Sequence, residues 1–372
     1  MRIALFTDSF LPGTGGTENV VLRLGTELSK EHEVAVFAPD YHRPCDDNKF
    51  PFKVYRSKSV KITGNENWAT PALCRNTKRA IKEFKPDIVH SHTQGMMAEF
   101  ANNYARKNNV PSICTSHTKY KYCYDSAVGI PFIVNMVVRR VVRRLRCADK
   151  ACAVSYSMVE ELKNYGLKKP VTVVRNGHNL LGLERKQYKK NEKFTLLFVG
   201  LIVDYKNIDF SLRALQELKK TRSDFVFNIV GDGPHRKRFE KRVKELNLDD
   251  CVKFLGRITD REKLFEIYAN ADAMLFTSEF DTDGLVLLEA AEAGTPSLVI
   301  KGTGAAERYT DGETAFIAEN DIRSVVEKIT YLMENPEQVE KVGKNALNVF
   351  VPWGEIAKQY IDIYTEEIAK KK

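Results

Sequence analysis

The sequence predicts two successive doubly wound α/β domains, on three grounds. Its 372 residues exceed one ordinary core and suit two. Short β-branched and aromatic runs alternate with longer amphipathic stretches, the spacing of βαβ units on a mostly parallel sheet. The alternation halts once, at a polar stretch with little to bury, and then restarts. In the first half the predicted strands are Arg2–Thr7, Glu33–Ala38, Asp87–His92, Ser112–Ser116, Lys150–Ser155 and Val171–Arg175. Helical patterns at Thr17–Ser29, Gly95–Lys107 and Ser157–Tyr165 lie between them. The polar stretch Gly182–Lys193 (GLERKQYKKNEK) reads as a linker, which sets the domains at 1–181 and 194–350. The second set of strands is Phe194–Val199, Phe225–Val230, Val252–Leu255, Ala273–Thr277 and Pro296–Ile300. After Asn320 the chain is helical to its end, and the last segment, 351–372, comes late for the second sheet. Ligands of such folds bind outside the carboxyl ends of the strands, in the cleft the domains share.

Composition narrows the class. With 43% hydrophobic and 29% charged residues the chain is neither disordered nor fibrous. No apolar run approaches the roughly 18 residues of a membrane span, and the apolar start breaks at Asp8, too soon for a signal peptide. Seven scattered cysteines without a Cys-x-x-Cys fit reduced thiols and a cytoplasmic location. The net charge of +9 suggests an anionic partner. Nucleic acid is disfavoured, because the basic residues gather in one amphipathic helix and on dispersed helical faces rather than on a recognisable module.

Four loops could carry chemistry. Phe10–Gly16 brings Gly13, Gly15 and Gly16 ahead of the first helix, where glycine lets a ligand approach and a helix N-terminus attracts an anion. A dinucleotide fingerprint would need glycine where Glu18 stands, so the choice is between phosphate contact and a plain tight turn. His117 follows the strand Ser112–Ser116 and could hydrogen-bond a hydroxyl or phosphate; alone it is equally a structural histidine. His90 and His92 end another strand and lack a third ligand at metal spacing, so they read as structural and no metal is expected. Lys206, just beyond the first strand of the second half, is a cation suited to a leaving phosphate or an ordinary surface lysine.

The segment Ser278–Ala291 gives the strongest signal. An acidic loop follows a strand, and a helix begins near Asp283–Gly284, so the N–H groups of Gly284, Leu285 and Val286 would face an anion. Asp281 and Glu289 flank it, and carboxylates beside a phosphate repel it; sugar hydroxyls, which donate to carboxylates, would explain them. The plainer alternative makes Asp281 or Asp283 an N-cap and leaves Glu289 on the surface.

Together these residues resemble the retaining glycosyltransferases of family GT4, which have the GT-B fold of two Rossmann-like domains facing a central cleft. The resemblance covers almost the whole chain. It rests on Gly15-Gly16, His117-Thr118, Gly200 with Lys206, the turn Gly231–Pro234, the acidic pair Asp281 and Glu289 at Glu-x7-Glu spacing, and Glu307 with Asp311-Gly312. It implies a nucleotide-sugar donor, expected to be a UDP-sugar, seated mainly on the second domain. Gly15 and Gly16 would approach the diphosphate and Lys206 would balance the leaving group. Gly231 belongs to the donor side, Asp281 and Gly284–Val286 would hold sugar and phosphates, and Glu289 the ribose. Arg257 and Ile258 would lie at the base, and His117 against the transferred sugar. Transfer would proceed with retention and without metal or other cofactor, and 351–372 would pack back on the acceptor-side domain 1–181. The Asp281-Thr282-Asp283 run imitates a metal-binding Asp-x-Asp of a single-domain architecture that this chain lacks. Leu201 stands where an arginine is usual and Asp281 where a glutamate is usual. The rivals are an epimerase or hydrolase on the same scaffold and a non-catalytic sugar-nucleotide binder.

The acceptor side has one further feature. In Phe132–Arg146 (FIVNMVVRRVVRRLR) valines and Leu145 fall on one side of a helical wheel, and Arg139, Arg140, Arg143, Arg144 and Arg146 on the other. A core-packed helix with a solvated cationic face fits, and so does docking to anionic lipid. Glucosyltransferases that act on diacylglycerol have a similar helix, which implies a membrane-associated acceptor such as diacylglycerol or a lipid-linked glycan. The enzyme would then be peripheral on the inner face of the plasma membrane, and Tyr120, Tyr122 and Tyr124 would either line an acceptor groove or simply pack.

Overall fold

The computed structural model describes residues 1–13, 15–41, 45–61, 67–178 and 192–372. Thr14 and residues 182–191 of the expected linker lie outside the described residues. In chain order the elements are β1 (Arg2–Phe6), α1 (Gly16–Leu28), β2 (Glu33–Pro39), β3 (Lys53–Ser57), β4 (Ser59–Lys61), β5 (Asn67–Ala69), α2 (Arg75–Phe84), β6 (Ile88–Ser91), α3 (Met96–Asn108) and β7 (Ser112–Ser116). Then come α4 (Tyr120–Ala127), α5 (Pro131–Cys147), β8 (Lys150–Ala153), α6 (Tyr156–Asn164) and β9 (Val171–Val173). The second set is β10 (Phe194–Val199), α7 (Ile208–Leu218), β11 (Phe225–Val230), α8 (Arg236–Glu245), β12 (Val252–Gly256), α9 (Arg261–Ala269), β13 (Ala273–Phe276), α10 (Leu285–Glu292), β14 (Ser297–Ile300) and β15 (Phe316–Ala318). Helices α11 (Ile322–Glu334), α12 (Pro336–Asn345) and α13 (Trp353–Lys371) follow. The chain forms two compact units, Met1–Gly177 with Val351–Lys372, and His178–Phe350.

Both large sheets are parallel and doubly wound, in the orders β3-β2-β1-β6-β7-β8-β9 and β12-β11-β10-β13-β14-β15. Each order reverses direction at one place, between β1 and β6 and between β10 and β13, and the loops beyond those strand ends form the crevice where such folds bind ligands. The loops carrying Lys206 and Asp281 follow β10 and β13. The glycine loop and His92 follow β1 and β6.

The strands were readable because central parallel strands are apolar on both sides. Ile3 and Leu5 join the core under α1 and α13, while Ala4 and Phe6 join Ala80, Ile81 and Phe84 of α2 and Met97 and Ala101 of α3. The alternation continues across the sheet: Ile113 faces α13, and Cys114 faces Val141 and Leu145 of α5. Helices α2, α3 and α5 therefore cover one face, and α1 and α13 the other. Strand β3 and strand β15 were not expected. Each is an edge strand, paired on one side only; β3 buries a single residue, Ser57, and β15 is apolar but only three residues long, so neither has the longer apolar run that marks an inner strand.

Helix α13 docks through Trp353, Ile356, Tyr360 and Tyr364, all buried. Large side chains of this kind contribute about 1.5–3 kcal/mol each on burial. Gly177 makes the docking possible, because a Cβ there would lie 2.7 Å from the Trp353 Cα and 2.8 Å from its ring. We predict that Gly177→Ala destabilises the protein by about 1–3 kcal/mol, read as a lowered thermal midpoint. An unchanged midpoint would show that α13 is free to shift.

Candidate active site

At the switch point of the second sheet, the loops after β10 and β13 are laced together. The Ser211 and Thr277 hydroxyls lie 2.7 Å apart, Thr277 Oγ1 donates to the Asn207 carbonyl at 3.1 Å, and Ser278 Oγ donates to the Tyr205 carbonyl at 3.3 Å. The Tyr205 and Phe280 rings meet at 4.7 Å. This lacing brings Lys206 Nζ to both oxygens of Asp281, at 2.6 and 2.8 Å, with each side chain about one-sixth exposed.

Neither acid caps α10. Its N-cap is Gly284, in the left-handed region at φ 66°, which brings no capping side chain. Asp283 is buried and pairs with Arg308, whose guanidinium lies 4.7 Å over the Phe350 ring. Glu289 is half-buried rather than on the surface, and accepts a 2.8 Å hydrogen bond from the Tyr268 hydroxyl. Burial pushes its carboxyl above the ordinary range. Three acids in and before α10 thus each have a counterpart: Asp281 has Lys206, Asp283 has Arg308 and Glu289 has Tyr268.

Gly231 supports this site from beneath. A Cβ on it would lie 1.9 Å from the Gly200 carbonyl oxygen, and one on Gly233 would lie 2.3 Å from that of Ile202, so the Gly-Asp-Gly-Pro turn is glycine because two backbones press together. Arg257 is exposed, whereas Ile258 packs on the core cluster that also holds Tyr268 and Leu287. Leu201 is about half exposed.

In the first unit the glycine loop departs from expectation. The Glu18 carboxylate folds back over Gly15, so close that a Cβ there would collide with Oε2, and it is held by the Ser9 side chain and the Gly15 backbone. Glu18 is the third helical residue after a Gly15 N-cap, the position from which a carboxylate reaches back to the cap. The Glu18 carboxylate thus lies against the Gly15 backbone, beside the place where the sequence suggested an anion. Asp8 is likewise consumed, accepting from the Gly95 and Met97 N–H groups at 2.9 and 3.0 Å at the start of α3.

His117 follows β7, and its Nε2 lies 3.1 Å from Nδ1 of His92. Burial lowers His117 to about 4 and holds His90 and His92 well below the ordinary range, so all three rings are neutral near pH 7. His92 was read from sequence as structural; the structure makes it a direct partner of a candidate site residue. The Tyr120 hydroxyl accepts from the Gln94 N–H at 3.1 Å.

The basic helix needs one correction. Arg144 is buried, donating to the Gln94 carbonyl at 2.9 Å and to Glu99 at 2.6 Å, so it cannot meet a lipid surface. A helical wheel assigns direction only, and the long stem of an arginine on the flank lets it reach a neighbouring helix. Arg143 shares Glu99 at 3.1 Å but remains largely exposed, and Arg139 and Arg140 are exposed. The same layer has a second basic face that the sequence reading passed over. Arg75, Lys78, Arg79 and Lys82 of α2, with Glu83 and Lys85, line a shallow hollow of about 540 Å³.

Two family models match, end to end. Residues 14–180 fit the model described as Glycosyltransferase Family 4, and residues 183–349 the one described as Glycosyl transferases group 1. The chain belongs to glycosyltransferase family 4. This glycosyltransferase is 26% identical to an alpha-monoglucosyldiacylglycerol synthase of Acholeplasma laidlawii, over 93% of this chain and 92% of that protein. It is 28% identical to the protein of the same name from Streptococcus pneumoniae, over 80% and 70% of the two chains. Among solved structures, Anabaena Alr3699/HepE in complex with UDP superposes with a TM-score of 0.75 at 18% identity, over 98% of this chain and 100% of that one. The glycosyltransferase has the GT-B fold. Among its described residues no group of His, Cys, Asp and Glu could hold a metal ion, and no helix is long and apolar enough to cross a membrane.

The neutral His117 gives a pH prediction. Its pKa is depressed on folding, so the native state resists protonation and stability is lost as pH falls from about 6.5 toward about 4. Across that window the wild type should lose thermal stability relative to a His117→Gln variant. A constant difference would show that the imidazole protonates freely in the fold.

Proposed function

We propose that this glycosyltransferase transfers a hexose from a UDP-sugar to a membrane-associated acceptor, diacylglycerol or a lipid-linked glycan, with retention at the anomeric carbon and without a metal. The observation that carries the reading is the Lys206–Asp281 pair beside the uncapped N-terminus of α10. A diphosphate is the ligand that competes for both elements: it accepts from backbone N–H groups and draws the ammonium away from its carboxylate. Asp281, released, accepts from sugar hydroxyls. Glu289, with one oxygen fixed by Tyr268, presents the other to a ribose hydroxyl.

In the transfer, the bond from the anomeric carbon to the phosphate oxygen breaks and the leaving diphosphate takes the electron pair. The acceptor hydroxyl forms the new bond on the same face, and its proton passes to the departing phosphate. Lys206 and the α10 N–H groups stabilise charge that grows on the leaving group, and His117 steadies the sugar. Names of relatives support the acceptor class: two are synthases of a glucosyldiacylglycerol, and a Mycobacterium tuberculosis relative, 24% identical, is named a GDP-mannose-dependent phosphatidylinositol dimannoside mannosyltransferase. Complexes of the Anabaena protein with UDP and with UDP-glucose support the donor class.

The surface of the first unit supports membrane approach. Arg139 and Arg140 on α5 and the basic face of α2 share one helical layer, and Ile130 and Phe132 at the start of α5 are exposed, Phe132 by 78%. A basic residue near an anionic surface contributes about 1 kcal/mol.

Two experiments test the reading. Incubated with UDP-sugars and diacylglycerol in mixed micelles, the enzyme should yield an α-linked glycolipid, and Lys206→Ala should lower turnover by about 10²–10³-fold. Near-normal turnover by that variant removes the lysine from the mechanism, and donor consumption without any acceptor points to an epimerase or hydrolase. Vesicles containing anionic lipid should co-sediment the protein and release it with salt. Replacing Arg139 and Arg140 with glutamine should weaken that binding several-fold, whereas Arg144→Gln should leave it unchanged while lowering the thermal midpoint. Equal loss of binding from both changes would contradict the burial of Arg144.

A further inference from the structure

Three imidazoles of the first unit form a chain, His90 and His92 buried and His117 partly exposed. His90 and His92 lie two residues apart at the end of β6, so their side chains leave the strand on one side, and their rings meet at 4.0 Å. The His92 and His117 rings stack at 5.4 Å, 25° from parallel. At the inner end both nitrogens of His90 are occupied, Nδ1 by the Tyr364 hydroxyl at 2.7 Å and Nε2 by Thr115 Oγ1 at 2.7 Å, with the Tyr360 hydroxyl 3.3 Å from the same oxygen. At the outer end His92 Nδ1 meets His117 Nε2 at 3.1 Å, and His92 Nε2 is buried with no partner among the described residues.

Neutral imidazoles have one N–H each, so one ring must donate to the other. If the His92 proton sat on Nε2, a buried N–H would be orphaned, which folded proteins rarely tolerate. With the proton on Nδ1, the hydrogen is used in the pair and only an acceptor lone pair is left without a partner. We infer that His92 is a positioning residue: its Nδ1–H donates to His117 Nε2, which fixes the orientation of the His117 ring and places that ring's own proton on Nδ1. This rests on the proposed role of His117 at the transferred sugar, and deepens it. With its lone pair taken by His92, His117 acts through an N–H donor at Nδ1 or through its backbone carbonyl, and not as a base. The proton of the acceptor hydroxyl must then leave by way of the departing phosphate.

The decisive measurement reads the wild-type protein and needs no substrate. Long-range ¹H–¹⁵N correlation spectra of the ¹⁵N-histidine-labelled full-length protein near pH 7, with resonances assigned by single replacement, report the tautomer of each ring. His117 should be Nδ1–H with an unprotonated, hydrogen-bonded Nε2, and His92 should be Nδ1–H. A His117 ring found protonated at Nε2 overturns the inference, whatever the enzyme's substrate proves to be. Kinetics supply the second arm. His92→Phe keeps the stacked ring and removes the donor, and should lower kcat by about 10–100-fold with donor KM changed less than about twofold. His92→Asn, whose amide can present an N–H near the position of Nδ1, should recover most of the loss. Equal impairment of both variants, each with a native-like melting midpoint, would also overturn the donor role. An unchanged kcat in His92→Phe, with the expected tautomers, would instead count against His117 as the residue that meets the sugar.

Discussion

A single constraint organises the switch point of the second sheet: acidic side chains around the start of α10 would repel the anion that a helix N-terminus attracts. The Lys206–Asp281 pair resolves it. Both residues sit in loops that leave adjacent strands at the point where the sheet order reverses, and the lacing among Asn207, Ser211 and Thr277 holds those loops together. With each side chain about one-sixth exposed, the pair is neither a surface ion pair of small consequence nor a fully desolvated one whose rupture is prohibitive. A partly screened pair of this kind can be exchanged for another ligand, as the proposed uptake and release of a diphosphate requires. The deeper pair, Asp283 with Arg308, has the opposite character: almost wholly buried and stacked on Phe350, it fixes the loop rather than responding to a ligand.

The parts of this arrangement legible in sequence are those set by local pattern. Inner strands such as β1, β10 and β13 announce themselves because both faces are buried, and the start of α10 was readable from Gly284 after an acidic loop. Edge strand β3 was not, since a strand paired on one side needs no apolar run. The neighbourhood of Lys206 and Asp281 followed from strand order, which periodicity does not contain. Glu18 is a different case. Its spacing from Gly15 is that of a capping carboxylate, so the signal was present, yet the glycines beside it suggested an external anion. A chain that supplies its own anion leaves the same glycines in the sequence.

Arg144 shows why angular patterns stop short of contacts. On the helical wheel it belongs with Arg139, Arg140 and Arg143, but its stem carries the guanidinium under Gln94 and onto Glu99 of α3. One cation is thereby lost from the α5 surface, and Arg143 is partly engaged by the same glutamate. The four cations of α2 lie on the same layer because alternate residues of β1, β6 and β7 send one set of side chains toward α2, α3 and α5. The basic character of this side thus belongs to the layer rather than to one helix, and the parity of the strands decides it.

The other face of that sheet carries the histidine chain, and its inner anchor is the end of the polypeptide. Tyr360 and Tyr364 of α13 hold Thr115 and His90, the His90 ring lies against that of His92 at a tilt, and His92 holds His117. The chain leaves this unit at Gly177 and re-enters it at Val351, and the contact between Gly177 and Trp353 places departure and return side by side. The orientation of His117 therefore depends on a helix that can dock only after the whole second unit, His178–Phe350, has been traversed. A fold wired in this way cannot complete the polar core of its first domain from the first domain's sequence alone. Replacing α13 contacts should consequently be felt at His117, through a route in which Tyr364 holds His90 by a hydrogen bond, His90 meets His92 by ring contact, and His92 holds His117 by a hydrogen bond.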